Sequence, residues 1–356
     1  MNQQKIRIGI VGAGGNFRDR HIPGFKATKG VELAGVANRS RQSGERAADE
    51  FGIARVYDNW VDLVESDDID AIAIGTWPYM HCTLVLAALA NEKHVLTEAR
   101  MAMNAQEARA MLEASRMSPH LVAMIVPGPM TMSIDPMVFH LLDTGYLGDV
   151  LAVELRVTQR NFVDRTGPLV WRQDAAVSGY NILNMGIWAE ILMRWLGPAN
   201  KVMAMTKTTV KQRKDAATGR LGAVTVPDHV DILAEMACGA QAHLRFSAVT
   251  GLAPTSEVWL FGSEGTLRID ATALKLFGGK RGEKELAPIE VPADKQIKAV
   301  APGLPPGWRV EEEFINAIRG VAPVKYTTFE DGVRYMEFTE AVTRSAQEGK
   351  AISLPL

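Results

Sequence analysis

The chain has 356 residues, 47% hydrophobic and 22% charged, with a formal net charge of −2. That length accommodates two domains with cores of their own, and the balanced charge supplies no field to draw the chain onto nucleic acid or an anionic lipid surface. The two cysteines, Cys82 and Cys238, each lie amid apolar neighbours and read as buried thiols, not as a disulfide framework.

Residues 1–11 run straight into a strand pattern, and the apolar neighbourhood at 69–90 is interrupted by Gly75, Pro78 and His81. Neither a signal peptide nor a membrane span is expected, which places the protein in the cytoplasm. The first 126 residues alternate β-rich runs at 5–11, 31–37, 71–75, 94–97 and 121–126 with helical stretches at 42–51, 79–90 and 105–117. The runs are continuously apolar, as parallel strands buried on both faces require, and their spacing suits crossover helices. The pattern predicts an α/β Rossmann domain with a doubly wound parallel sheet over residues 1–126.

From about Pro127 the runs lengthen and partly alternate, at 149–160, 200–210, 228–238, 240–250 and 255–270, with short links at Gly239 and at 251–254. A helical segment at 181–196 stops at Gly197-Pro198, and a loop at 301–307 precedes two amphipathic helices at 311–319 and 329–347. Residues 127–356 are therefore expected to form an α+β substrate and oligomerisation domain on a large, mostly antiparallel sheet.

Directly after the first strand comes Gly12-Ala13-Gly14-Gly15-Asn16-Phe17. Gly12 and Gly14 allow a tight turn and a close approach of backbone to a pyrophosphate, whose oxygens the N–H groups opening the next helix can bind. Phe17 stands where a third small residue usually lets helix and strand pack closely. The second strand ends at Asn38-Arg39-Ser40-Arg41. An acidic residue there would bind the ribose 2′-hydroxyl. Two guanidinium groups instead tilt the expectation slightly toward NADP over NAD, with solvated arginines as the alternative.

Residues 12–17, then Thr76-Trp77-Pro78-Tyr79-Met80-His81, then Lys93-His94-Val95-Leu96-Thr97-Glu98 follow in an informative order. So do Gly145-Tyr146-Leu147-Gly148-Asp149-Val150, Phe261-Gly262-Ser263-Glu264-Gly265-Thr266-Leu267 and residues 312–319. This ordered set resembles the glucose–fructose oxidoreductase/inositol dehydrogenase (Gfo/Idh/MocA) family over nearly the whole chain. The resemblance implies a nicotinamide cofactor, a Rossmann domain plus an open mixed sheet with substrate between them, and homo-oligomers, dimers or tetramers. It marks Thr76, Trp77 and His81 as cofactor neighbours, along with the turn residues Gly12, Gly14, Gly15, Asn16 and Phe17 and the group Asn38, Arg39, Ser40 and Arg41.

Two departures concern chemistry. The family's Glu-Lys-Pro motif is Glu98-Ala99-Arg100 here, and in the Asp-x-x-x-His pair of its substrate-domain helix Asn184 and Trp188 replace aspartate and histidine. Asparagine cannot exchange the proton that hydride transfer at a carbinol requires, and an indole is a donor only. Tyr180, just before that helix, and His81 are the candidate proton-handling groups, each with a binding or structural role as its alternative. Glu98 is expected at a strand's C-terminal end, accepting hydrogen bonds from ribose or substrate hydroxyls, or else pairing with Arg100.

Trp171 and Arg172 suit stacking on a ring and gripping hydroxyls or an anion, the alternative being a core anchor and a surface charge. With them, Asn184 and Trp188 complete the expected substrate-binding set. Arg156 and Arg160 differ by four and share a strand face that is expected to be wet, the alternative being that they add positive charge to the cleft. His229, Asp231 and His243 read as another wet face, so no metal is expected. The resulting expectation is an NAD(P)-dependent oxidoreductase acting on a small carbohydrate-like substrate, a sugar, polyol or related cyclic alcohol, through a noncustomary proton donor. The alternatives are a noncatalytic dinucleotide-binding protein, or elimination or hydrolysis through transient oxidation.

Overall fold

The computed structural model describes residues 5–216 and 218–356. Residues 1–4, where the predicted N-terminal domain and its lead-in run begin, and residue 217 lie outside the described residues. Among the described residues, the five apolar runs near the N-terminus become β1 (Ile6–Val11), β2 (Val31–Ala37), β4 (Ala71–Ile74), β5 (His94–Thr97) and β6 (Ala123–Ile125), and a short strand not expected from the sequence, β3 (Arg55–Val56), joins them. They form one parallel sheet in the order β3-β2-β1-β4-β5-β6. Ile8, Ile10, Ile72, Ile74, Val95 and Leu96 are fully buried, which is what continuous apolar strands demand when helices cover both faces. The order reverses between β1 and β4, and open sheets of this kind bind ligands at the carboxyl ends beside such a reversal.

The chain divides into two compact units, residues 1–129 with 298–333, and residues 130–297 with 334–356. The sequence boundary at residue 126 is close for the first crossing, but the expectation that everything beyond it forms one domain is corrected. Residues 298–333 return to the Rossmann unit. There the backbone N–H of Ile125 donates to Thr327 O at 3.2 Å, Arg319 donates to the carbonyls of Lys29 and Gly30, and the helix Val310–Ile318 packs against the helix Ile22–Ala27. Phe314 and Ile315 are fully buried in that packing.

In the second unit the described strands are β7 (Val150–Thr158), β8 (Ala199–Lys207), the short pair β9 (Gln212–Lys214) and β10 (Leu221–Ala223), β11 (His229–Met236), β12 (Gln241–Ser247), β13 (Glu257–Gly262), β14 (Gly265–Asp270), β15 (Lys275–Lys280), β16 (Ala287–Ile289) and β17 (Ile352–Ser353). Nine of them form a sheet ordered β16-β15-β14-β13-β7-β12-β11-β8-β17, antiparallel throughout except where β7 and β12 run parallel. Alternation sets the two faces. Val230, Ile232, Ala242, Leu244 and Phe246 are buried, while the intervening His229, Asp231, His243 and Arg245 face outward.

The predicted run at 255–270 is a hairpin and not one strand, because Ser263-Glu264 turns the chain between β13 and β14. The helix expected from 181 begins at Met185 instead, since Leu183 has a positive φ of 46° that a helix cannot contain. Cys238, expected buried, is exposed in the turn after β11, and Cys82 is half-buried.

Candidate active site

The turn after β1 explains how a phenyl ring fits where a small residue is usual. Gly12 has φ +89°, and a side chain there would also strike the backbone of Gly75 and Thr76 at 2.9 Å. Phe17 is 1% exposed, and its ring occupies the place where a Cβ on Gly75 would stand, 2.3 Å from the ring edge. The close approach of helix to strand is thus provided from the β4 side, by Gly75. The helix opens with a wide turn, Phe17–His21, before continuing as Ile22–Ala27, and this brings the rings of Phe17 and His21 to 4.4 Å. Gly14 and Gly15 are exposed with open space where side chains would project, and the neighbouring Thr76 Oγ1 is buried without a hydrogen-bond partner. Open space and an orphaned hydroxyl beside a strand-to-helix turn fit a bound pyrophosphate and its ribose.

Glu98 follows β5, at the carboxyl end of the sheet. Its carboxylate accepts from Asn16 Nδ2 and from the backbone N–H of Ala99, and lies 3.0 Å from His21 Nε2. On the other side of the imidazole, Nδ1 stands 2.6 Å from Glu311 Oε1, and Trp308 Nε1 donates to Glu311 Oε2 at 2.9 Å. His21, Glu311 and Trp308 are fully buried. Burial is the largest single influence on His21 and opposes its charge, but the flanking carboxylates overcome it and raise its pKa to about 9. Burial likewise opposes the charge on Glu98, and the imidazolium with Asn16 overcomes it, holding the carboxyl below its ordinary range. Gly24 leaves the room Glu311 occupies, since a Cβ there would fall 2.0 Å from Oε2.

Sequence reasoning did not single out His21, Glu311 or Trp308. Only His21 carried a local signal, lying one turn beyond Phe17 on the same helix face.

The remaining Rossmann candidates separate by what they touch. Asn38 accepts from Ala13 N–H at 2.8 Å and donates to Ser43 O at 2.9 Å, so its amide braces the turn. Ser40 caps the helix Arg41–Phe51. Arg41 is held by Glu45 and Asp58, whereas Arg39 is exposed and, among the described residues, has no ion-pair partner. Trp77 is 38% exposed beside Tyr79.

His81, expected as a possible proton acceptor, is 1% exposed with Nδ1 at 3.0 Å from Arg100 O and Nε2 at 3.1 Å from Thr76 O. Burial pulls its pKa down against those carbonyls. The catalytic expectation for His81 is corrected on that geometry: the ring ties the Thr76 turn to the Arg100 segment and has no free face.

In the second unit, Tyr180 is 38% exposed and Asn184 is exposed at the start of the helix Met185–Leu196, its side chain making no cap bond. Arg172 is exposed and its guanidinium stacks 4.1 Å from the centroid of half-buried Trp171. Trp188, expected at the substrate, is 2% exposed, so its indole fills the core. Arg156 pairs with Glu257 on the wet sheet face, and Arg160 donates to Ala253 O at 2.8 Å. Asp231 accepts from Arg245 at 2.7 Å and lies 3.0 Å from His229 Nε2. Among the described residues no group of His, Cys, Asp and Glu side chains could hold a metal ion, and no helix is long and apolar enough to cross a membrane.

Comparison with known proteins agrees with this geometry. An uncharacterised oxidoreductase of Rhizobium meliloti is 24% identical over 186 residues, 51% of this chain and 53% of that protein, so the chain spans about half that relative's length. A dTDP-3,4-didehydro-2,6-dideoxy-alpha-D-glucose 3-reductase of Streptomyces violaceoruber is 27% identical over 319 residues, 88% of this chain and 85% of the other. Levoglucosan dehydrogenase in complex with NADH and L-sorbose shares the fold, with a TM-score of 0.86 at 20% identity over 99% of this chain and 100% of the other. Residues 6–125 match the oxidoreductase family model with an NAD-binding Rossmann fold, and residues 137–268 match the GFO/IDH/MocA C-terminal domain. With both halves matched in order, the chain belongs to the Gfo/Idh/MocA family of oxidoreductases.

Proposed function

We propose that this chain is an NAD(P)-dependent oxidoreductase of a sugar, polyol or related cyclic alcohol, with NADP accepted at least as well as NAD. The observation that carries the reading is the turn at residues 12–17, open above Gly14 and Gly15, with Gly12 against the backbone of Thr76, whose buried hydroxyl has no hydrogen-bond partner among the described residues. The relatives named above, a dTDP-sugar reductase and a dehydrogenase bound to a sugar and NADH, support the substrate class. When bound, the nicotinamide supplies a site that gives or takes hydride. The chain's own residues then have two tasks. Backbone N–H groups from Gly15 onward hold the pyrophosphate, the Gly14 N–H being engaged by Gly12 O, and Arg39, without an ion-pair partner among the described residues, pairs with a 2′-phosphate.

Tyr180 exchanges the proton at the substrate oxygen, in place of the family's lysine and histidine. Asn184, Trp171 and Arg172 offer an amide, a ring face and a guanidinium to hydroxyls. In the test, purified protein is given NAD or NADP with a panel of sugars and polyols, and the absorbance of reduced nicotinamide is followed. Turnover is expected, with Tyr180→Phe lowering kcat by about a hundredfold. Arg39→Glu is expected to lower affinity for NADP by roughly tenfold and to leave NAD little changed. Tight cofactor binding with no hydride transfer to or from any carbohydrate would refute the reading.

A further inference from the structure

We infer that His21 is a positioning residue for the dinucleotide: held from behind by Glu311 and Trp308, it fixes Glu98 and, through Asn16, the shape of the phosphate-binding turn. The inference rests on the dinucleotide reading above and adds three residues to it. The chain of contacts is continuous. Trp308 donates to Glu311, Glu311 and Glu98 hold the two imidazole nitrogens, and Glu98 accepts from Asn16, which immediately follows Gly15.

The arrangement needs a protonated ring. A neutral imidazole has one N–H and can serve one carboxylate, leaving the other buried, anionic and without its donor. Glu98 would then move off, releasing Asn16 and the opening of the helix whose N–H groups face a phosphate. The imidazolium also offsets the charge of Glu98, which would otherwise repel a pyrophosphate brought to the same end of the sheet. The charged and titratable groups around the ring are Glu98 beside β5 and Glu311 on the helix Val310–Ile318. Beyond them lie His81, whose charge would act on Glu98, and Arg20, stacked 5.3 Å from the ring centroid of Trp308.

The test measures dissociation constants of NADH and NADPH by fluorescence from about pH 6 to about pH 10, for wild type, His21→Gln and Glu311→Gln. Wild-type affinity should be level up to about pH 8 and weaken about tenfold as the ring loses its proton near pH 9. His21→Gln should bind about tenfold more weakly at neutral pH, with that break in the profile gone. Glu311→Gln keeps an acceptor for Trp308 but removes one carboxylate, so the break should move to lower pH; a residue that only fills space would not shift it. Wild-type affinity and an unmoved profile in both variants would overturn the inference while leaving cofactor binding intact. A wild-type chain that binds neither dinucleotide would overturn the dinucleotide reading and this inference with it.

Discussion

Phe17 and Gly75 show a size exchange between neighbouring elements. The larger side chain on the helix is accommodated by the absence of one on the strand, with a Cβ at Gly75 meeting Phe17 at 2.3 Å and Gly12 O at 2.4 Å. Gly75→Ala is therefore expected to destabilise by about 1–3 kcal/mol, as overpacking does. Pairing it with Phe17→Leu should recover part of that loss, since one of the two clashes is relieved. Denaturant titrations of the two singles and the double measure the coupling, and strict additivity would contradict the account.

His21 gives a second residue-level prediction. Its folded pKa of about 9 lies above the ordinary 6.5, so its contribution to stability is complete below about pH 6.5 and is lost as pH rises through about 9. Glu98, held below its ordinary range, contributes in the opposite sense, its share being lost in acid. Thermal unfolding should thus show wild type well above His21→Gln at neutral pH and converging with it by about pH 10. At this scale the sequence is partly legible. Gly12, Gly14 and Thr76 announce themselves by motif and position. Glu311 stands 290 residues from His21, and no spacing rule pairs residues so far apart.

Among the elements, the link from β2 to the following helix depends on Asn38. Its amide spans Ala13 N–H and Ser43 O, joining the turn after β1 to the first turn of the helix Arg41–Phe51. Asn38→Ala removes both bonds and should cost roughly 1–3 kcal/mol, with weaker dinucleotide binding. Asn38→Asp, which cannot donate, should lose part of this. Calorimetry with NADP and NAD separates bracing from direct contact, because bracing weakens both alike. The strands of the Rossmann sheet other than β3 were readable from their continuous apolar runs, and the wet and dry faces of β11 and β12 from alternation. The late hairpin was legible only through the likeness of Phe261–Leu267 to the family's hairpin, because its turn, Ser263-Glu264, sits inside a run whose composition stays strand-like. The start of the helix Met185–Leu196 was misplaced for a similar reason: Leu183 is an ordinary helix former, and only its observed backbone shows otherwise.

For the whole molecule, periodicity identified both sheets but could not reveal the discontinuous path of the Rossmann unit. Helices at 311–319 and 329–347 were legible as helices, whereas the assignment of the first to the Rossmann unit, and of the second from residue 334 onward to the other unit, is decided by tertiary contacts such as that of Thr327 with β6. A fragment ending at residue 129 is therefore expected to lack cooperative unfolding and to bind a hydrophobic dye, because the surface that Phe314 and Ile315 cover is bare. Full-length protein should show neither property, and a fragment that melts cooperatively would contradict the assignment.

The return of residues 298–333 to the Rossmann unit also bears on synthesis. A ribosome delivers His21 290 residues before its partner Glu311, with Trp308 emerging just ahead of Glu311. Until then Glu98 and His21 wait in a nascent chain whose nucleotide turn lacks its backing. The site is finished only once those residues have emerged, and a chain cut before Trp308 would carry every glycine of the turn and none of the groups that brace His21 from behind.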